Sequence, residues 1–198
     1  MDAPFTTLRL DANALRVLAH PLRSRLLTAL RSDGPATATA LAHALGTNTG
    51  ATSYHLRKLA SVGLVKETDD GRGRERWWRA STPSHGWTER DVAGDPDAEA
   101  ASDWLKRHYL RTFVERYERW LDAAPDWPLD WRAAAESGDA VLHLSPARLA
   151  ELESELLAVL DRYRGQPSDG EDARPVAVHY HSFPVLPERS TEGSEAPT

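Results

Sequence analysis

The chain of 198 residues contains no cysteine, and this absence excludes disulfide bonds and metal sites built from thiolates. It also lacks an apolar run long enough to cross a membrane. Polar and apolar residues alternate through residues 1–21 too closely for a secretory signal peptide. Together these features predict a cytoplasmic protein that does not enter a membrane.

Motifs of catalysis are missing as well. The sequence has no glycine-rich phosphate loop and no nucleophile elbow. Glu151, Glu153 and Glu155 fall off the apolar stripe of the helix predicted around them, so we interpret them as solubilising charges. The sequence therefore predicts neither an enzyme nor a bound cofactor.

Positive charge is in deficit overall, with a formal net charge of −6, but it is unevenly distributed. Residues 1–80 hold 12 Lys and Arg against 7 Asp and Glu, a charge of +5. Residues 81–198 hold 12 against 23, a charge of −11. A basic first part joined to an acidic remainder is typical of a phosphate-binding surface with a separate second task. A solvated helix face is the alternative explanation for Arg23, Arg25 and Arg31.

Apolar residues at three- and four-residue spacing predict three short helices before residue 46. The first covers residues 11–19 with Asp11 as its N-cap. The second restarts at His20-Pro21, because proline is tolerated at the first helical position. The third is capped by Thr37 or Thr39. Helices this short cannot bury their apolar stripes separately, so we expect them to share one core.

Residues 46–65 have the features of the second helix of a helix-turn-helix. Asn48 is a suitable N-cap and Gly63 a natural stop. The inward stripe is formed by Thr52, Leu56, Leu59 and Val62. The opposite face is short and polar at its start and carries one long cation: Thr49, Gly50, Ser53, Tyr54 and Arg57. Such a face suits the major groove of double-stranded DNA.

The alternation of a strand replaces the helical period after Gly63. Residues 64–68 and 75–79 flank a glycine-rich turn, a pattern that predicts a hairpin. Arginines at its tip, Arg72 and Arg74, are placed to contact a phosphate backbone or a minor groove. Trp77 and Trp78 point to opposite faces of the second strand, so one of them is expected in the core.

These elements, in this order, resemble the ArsR-type winged-helix transcriptional regulators of bacteria, in particular those with a long additional C-terminal part. The resemblance covers residues 9–80 and is carried by LRVLAHPLRSRLLTAL, ATALAHALGTNTGATSYHLRKLASVGLV and DDGRGRERWWR. It implies a homodimer that binds a two-fold symmetric operator, and we predict a repressor. Founding members sense metals through cysteines on a helix of this domain, and this chain has none.

The resemblance also assigns roles to individual residues. The major-groove set, in the helix capped by Asn48, is Thr49, Gly50, Ser53, Tyr54 and Arg57. His55 and Lys58 are candidate phosphate contacts, and Arg72 and Arg74 belong to the wing. Packing on the wing is the alternative for Tyr54, and interior packing beside Leu56 and Leu59 is the alternative for His55. A winged helix used for protein contacts is the alternative for the whole module.

The rest of the chain is predicted in four parts. Residues 81–96 are rich in Pro, Gly, Ser and Asp and are predicted as a linker. Residues 97–123 form a predicted helix of roughly 40 Å that pairs with its copy in a dimer. Residues 140–144 and 174–183 are predicted strands on either side of a helix that begins at Ser145-Pro146. The tail, residues 188–198, is predicted to be disordered.

The predicted fold is therefore α+β and mostly helical. A winged helix-turn-helix occupies residues 1–80, and residues 97–187 form a C-terminal dimerisation and effector region with a small strand-helix-strand unit.

Tryptophans are concentrated in this C-terminal region. Core or dimer interface is the default interpretation of Trp104, Trp120, Trp127 and Trp131. The alternative is a pocket for a flat apolar effector, lined by Trp104, His108, Trp120, Trp127 and Trp131. His143, His179 and His181 are of a type that binds zinc or nickel, but no further ligand falls at a tight spacing beside them. We therefore predict no metal site.

Overall fold

The computed structural model describes residues 8–68, 75–164 and 172–185. The chain divides into two compact units, residues 1–136 and residues 137–198. The predicted wing-tip residues Arg72 and Arg74 and the predicted tail at 188–198 lie outside the described residues.

Four short helices open the first unit: α1 (Ala12–Leu18), α2 (Pro21–Ser32), α3 (Ala38–Ala44) and α4 (Thr49–Ala60). Each begins after a side chain that accepts a backbone N–H of the first turn. These caps are Asp11, His20, Thr37 and Asn48. The predicted Asp11 and Asn48 caps are confirmed, and Thr37 rather than Thr39 begins the third helix.

Two small sheets join these helices. In the first, β2 (Ala36–Thr37), β4 (Trp77–Ala80) and β3 (Val65–Thr68) lie antiparallel in the order β2-β4-β3, which confirms the predicted hairpin. In the second, β1 (Leu8–Arg9) pairs in parallel with β5 (His85–Gly86). Trp78 is buried while Trp77 is half-buried, so Trp78 is the predicted core tryptophan.

The core of this unit is a continuous, mostly leucine cluster contributed by α1 to α4 and by the start of β3 with the residue before it. It includes Leu15, Leu18, Leu26, Leu27, Leu30, Leu41, Leu56, Leu59 and Leu64. The predicted inward stripe of α4 is confirmed, because Thr52, Leu56 and Leu59 are fully buried and Val62 packs against the cluster. Burying α4 on this side leaves its polar face directed outward.

The segment predicted as a linker is a packed part of the first unit. Its residues form β5 and a short 3-10 helix, Glu89–Asp91. Val92 is 1% exposed, and the indole Nε1 of Trp87 donates to the buried Ser102 Oγ at 2.7 Å. The linker prediction was wrong because it rested on the polar composition of the segment. Composition does not show that the few large side chains of a segment pack against distant residues.

A helix of 28 residues, α5 (Pro96–Ala123), follows and confirms the predicted long helix. Its first third belongs to the core through Ala98, Ala101, Ser102 and Leu105, and it packs against α1. Its last half has no buried residue. A 3-10 turn at Ala124–Asp126 and α6 (Leu129–Ala134) complete the described part of this unit.

The second unit contains α7 (Pro146–Arg164), which confirms the predicted helix. The strands predicted at 140–144 and 174–183 do not form, and both segments are irregular. Val141 is 70% exposed and Val178 is 59% exposed, so these apolar side chains are not covered as they would be on one face of a sheet. The protein is thus mostly helical with small sheets, as predicted. Of the helices in the described ranges, none is both long and apolar enough for a membrane span.

Candidate nucleic-acid interface

The start of α4 is held rigidly by its cap. Asn48 Oδ1 accepts from the Ala51 N–H at 2.8 Å, and Thr52 Oγ1 donates to the Asn48 carbonyl at 3.1 Å. At Gly50, an added Cβ would lie 3.3 Å from Asn48 Oδ1, so a larger residue would crowd the cap. These contacts fix the direction in which the polar face of α4 points.

That face is accessible along its length. Thr49, Gly50, Tyr54, Arg57 and Lys58 are exposed, and Ser53 and His55 are half-buried. Among the described residues, Arg57 takes part in no ion pair. The guanidinium is therefore available to a ligand that approaches α4 from outside.

A cleft of about 500 Å³ runs between α4, the start of α3 and the base of the wing. Three predicted base contacts, Thr49, Ser53 and Arg57, line one side of it. The other lining residues are Thr37, Ala38, Thr39, Glu75, Arg76 and Trp78. The structure therefore brings part of the predicted major-groove set together with residues, such as Arg76, that the sequence did not indicate as DNA contacts.

Arg76 is the most informative of these missed residues. Its Nη1 lies 3.1 Å from Glu67 Oε1 across the β3–β4 ladder, and both side chains are largely exposed. The ion pair orients a second guanidinium on the cleft that Arg57 also lines. The sequence signal was its position next to the arginine-containing turn, but only strand pairing places it on the cleft.

Aromatic and basic side chains cluster on the flank of α4. The Tyr54 ring stands edge-on to the His55 imidazole with centroids 5.2 Å apart, and Lys58 Nζ lies 5.8 Å from the Tyr54 centroid. Tyr54 therefore contacts two neighbours on its own helix. Burial lowers the pKa of His55, and the neighbouring His20 and Arg23 lower it further. His55 is thus neither free in solvent nor part of the leucine core.

The predicted effector pocket divides into two groups. Trp104 and His108 stack with centroids 4.8 Å apart. Trp120 meets Trp127 edge-on at 5.4 Å, and Trp127 meets Trp131 at 5.8 Å. Trp104 and Trp120 are separated by roughly 24 Å along α5, at about 1.5 Å per residue. Within one chain these five residues therefore form two separate aromatic groups.

A polar connection links the wing domain to α5, and sequence analysis missed it because His85 falls in the predicted linker. His85 Nδ1 lies 2.5 Å from Arg31 Nη1, and His85 Nε2 lies 2.8 Å from Tyr109 Oη. Burial, and then the charge of Arg31, lower the pKa of His85 from 6.5 to about 3. The imidazole is therefore a neutral bridge between α2 and α5.

Within residues 8–68, 75–164 and 172–185, no three His, Cys, Asp or Glu side chains are grouped as metal ligands. His143, one of the three histidines considered from the sequence, is exposed.

The fold and the cleft define a winged helix-turn-helix domain. Residues 18–68 match the model of a helix-turn-helix domain family. Over 61 residues the chain is 44% identical to the HTH-type transcriptional regulator NmtR of Mycobacterium tuberculosis. That stretch is 31% of this chain and 50% of the relative, so the chain spans about half the length of the curated relative it matches. Residues 18–68 thus form a helix-turn-helix domain, which the β3–β4 hairpin completes as a winged fold.

The chain also matches part of the solved structure of the homodimeric winged helix-turn-helix DNA-binding domain of Mb0332 from Mycobacterium bovis. It is 24% identical over 50% of this chain and 77% of that chain, with a TM-score of 0.34. The adhesin competence repressor AdcR of Streptococcus pyogenes is 17% identical over 74% and 83% of the two chains, with a TM-score of 0.32.

Proposed function

We propose that the chain is a cytoplasmic DNA-binding transcriptional regulator that acts as a homodimeric repressor. One observation carries the proposal: Thr49, Ser53 and Arg57 of α4 open onto the same cleft as Arg76 of the wing. A helix and a hairpin that present polar and cationic groups to one cleft suit a duplex with α4 in the major groove.

The chemistry of the cleft fits base edges. The guanidinium of Arg57 can donate two hydrogen bonds to O6 and N7 of guanine, an arrangement that discriminates against other bases by about 1–3 kcal/mol. Thr49 and Ser53 are short, so the helix can approach the bases closely while their hydroxyls donate or accept. Gly50 has no side chain and therefore also allows the helix to approach the bases closely.

Backbone contacts flank this set. Lys58 and His55 lie on the side of α4 away from the cleft, beside Tyr54. At the other end of the cleft, Arg76 would contact the backbone of the DNA strand next to the wing. Arg72 and Arg74 follow β3 in the sequence and would add contacts to the same DNA strand. Contacts of this kind supply affinity that falls steeply with salt, because each one releases condensed counterions.

The dimer is supported by the second half of α5. Leu110, Val114 and Leu121 are 50%, 43% and 53% exposed on one apolar side of this helix. Phe113 and Tyr117 stack on that side with ring centroids 5.8 Å apart. An apolar helix face of this kind is buried when two copies associate, and two copies of α4 would then enter successive major grooves about 34 Å apart.

An effector would act through the same helix. Trp120, Trp127 and Trp131 are the part of the predicted pocket that the structure brings together, at the end of α5. A flat apolar molecule bound at these rings would favour a different spacing of the two α4 helices and so weaken operator binding.

Fluorescence anisotropy with the DNA upstream of the coding sequence tests the proposal. Arg57→Ala should weaken binding by roughly five- to 150-fold, which corresponds to the loss of about 1–3 kcal/mol. Arg90→Ala is the matched control, because it removes the same charge from an exposed arginine in the 3-10 helix after β5. Wild-type protein that binds no more tightly than Arg57→Ala, or a control that loses as much, contradicts DNA recognition by α4.

Sedimentation velocity tests the dimer. Val114→Glu places a charge on the apolar side of α5 and should shift the protein to monomer. Arg119→Glu, on the opposite side of the same helix, should leave the dimer intact. A wild-type monomer at micromolar concentration, or equal behaviour of the two variants, contradicts the proposed interface.

A further inference from the structure

Two histidines and an arginine meet on the flank of the recognition helix. The imidazole of His20, at the start of α2, and that of His55, in α4, have ring centroids 4.5 Å apart. Arg23, one turn along α2 from His20, brings its Nη1 to 3.5 Å from His55 Nδ1. All three side chains are half-buried, so they are partly withdrawn from water but reachable from the surface.

The hydrogen bonds define which ring nitrogens carry protons. Leu22 N–H donates to His20 Nδ1 at 3.1 Å, so the proton of neutral His20 is on Nε2. Arginine has donors only, so His55 Nδ1 accepts from Arg23 and its proton is also on Nε2. Both imidazoles are therefore neutral donors through Nε2, next to a permanent cation.

The two histidines differ in which hydrogen bond is lost when they are protonated. Protonating His20 removes the cap of α2, because Nδ1 can no longer accept from the Leu22 N–H. Protonating His55 breaks only the contact with Arg23, which at 3.5 Å is long and weak. An anion placed between Arg23 and a protonated His55 would replace that contact with two charge-assisted hydrogen bonds.

We propose that His20, Arg23 and His55 form a subsite for a phosphate of the DNA backbone, and that His55 takes up one proton as the phosphate binds. The inference rests on the proposed function, since it places this phosphate beside the groove that α4 occupies. Arg23 and protonated His55 share the phosphate oxygens, and His20 adds a neutral Nε2–H donor. A hydrogen bond holds Arg23 in position, because its Nε donates to the Val17 carbonyl of α1.

The groups that surround His55 favour an anion. From α2 it faces His20 and Arg23, and on its own helix it faces Tyr54, over which Lys58 lies. The nearest charged residue of α1, Arg16, is paired with Asp95 Oδ2 at 2.6 Å. The surroundings of His55 in α1, α2 and α4 are thus neutral or positive, and a phosphate would supply the missing negative charge.

The sign of the resulting pH dependence follows from these surroundings. Without DNA, burial and the neighbouring His20 and Arg23 hold the pKa of His55 below 6.5. A bound phosphate raises this pKa, because a negative charge favours the imidazolium. Binding therefore takes up a proton between the two pKa values, and DNA affinity rises as the pH falls through that window.

Anisotropy titrations at pH values from 8 to 5.5 test the inference with the full chain and a duplex. Wild-type affinity should rise roughly three- to tenfold as the pH falls, since one proton changes affinity by at most about tenfold per pH unit. His55→Gln cannot protonate and should lose this trend. His20→Asn keeps a capping side chain and should bind less tightly at every pH while retaining the trend.

Three results separate the alternatives. His43→Gln is the control, because His43 is an exposed residue of α3, and this variant should match the wild type at each pH. A His55→Gln variant with the wild-type pH dependence overturns the subsite while leaving DNA binding intact. Wild-type protein that binds no duplex at any pH overturns the proposed function, and the subsite with it.

Imidazole NMR titrations provide a second readout. The duplex should raise the pKa of His55 in the wild-type protein and leave that of His43 unchanged. Inorganic phosphate at the same concentration of phosphate groups is the comparison. If it raises the pKa of His55 equally, the subsite binds free phosphate rather than the DNA backbone, and the assignment is overturned.

Discussion

His85 Nε2 lies 2.8 Å from Tyr109 Oη, and this hydrogen bond joins the segment that follows the wing to the long helix α5. The other ring nitrogen of His85 faces Arg31 of α2. Because α2 also packs against α4, the bridge connects the interface proposed for DNA to the helix proposed for dimerisation.

Tyr109→Phe should lower the free energy of unfolding by about 1–3 kcal/mol, because it leaves a buried His85 donor without its acceptor. Urea denaturation measures the change. Tyr163→Phe serves as the control, since Tyr163 is 71% exposed in α7 and its loss should change stability by less than about 0.5 kcal/mol. Equal effects of the two variants would show that the bridge contributes nothing to stability.

Acidification should destabilise the fold through His85. Its pKa is about 3 in the folded chain and 6.5 ordinarily, so between these values the unfolded chain binds the proton and the folded chain does not. The contribution of neutral His85 to the free energy of unfolding is fully present above pH 6.5. It falls toward pH 3, by at most about 1.4 kcal/mol per pH unit for this one group. Urea titrations from pH 7 to 4.5 should show a smaller slope for His85→Gln. An unchanged slope would mean that His85 does not carry the effect.

Asn48→Ala should destabilise the protein by about 0.5–2 kcal/mol, because the Ala51 N–H loses its acceptor at the start of α4. Asn48→Asp keeps an acceptor and should retain most of the stability. Thermal unfolding followed by circular dichroism distinguishes the two. A loss of the same size in both variants would assign the effect to something other than the cap.

Trp87→Phe should destabilise the fold more than its small loss of volume explains, because the hydroxyl of Ser102 loses a partner at a buried position. Adding Ser102→Ala should recover part of the loss, since removing both polar groups avoids an unsatisfied one. The double-mutant cycle, measured in urea, gives the coupling directly. A coupling near zero would contradict the packing of this segment on α5.

Local patterns in the sequence were sufficient for the winged helix. The caps Asp11 and Asn48, the stripe through Thr52, Leu56 and Leu59, and the hairpin after Gly63 all came from interactions between residues close in the chain. Gly63 has φ +74°, a left-handed conformation that glycine adopts without strain, so its role as a stop for α4 was also readable.

Contacts between residues distant in the chain could not be predicted from the sequence in the same way. The parallel pairing of Leu8 with His85 and the approach of Trp87 to Ser102 depend on where α5 lies, and composition alone suggested a linker there. In the second unit the alternation around Val141 and Val178 favoured strands, but a strand forms only when it pairs with another strand, and local alternation does not specify that pairing.

The sequence by itself determined the helix that begins at Asn48 and the polar face that this helix presents, because capping and helical period act within a few residues. Only the tertiary structure decided that Arg76 joins Arg57 on one cleft, that His20 meets His55, and that the tryptophans divide into two groups. Each of these is a distance between elements, and such distances are set by how the leucine core packs rather than by any local pattern.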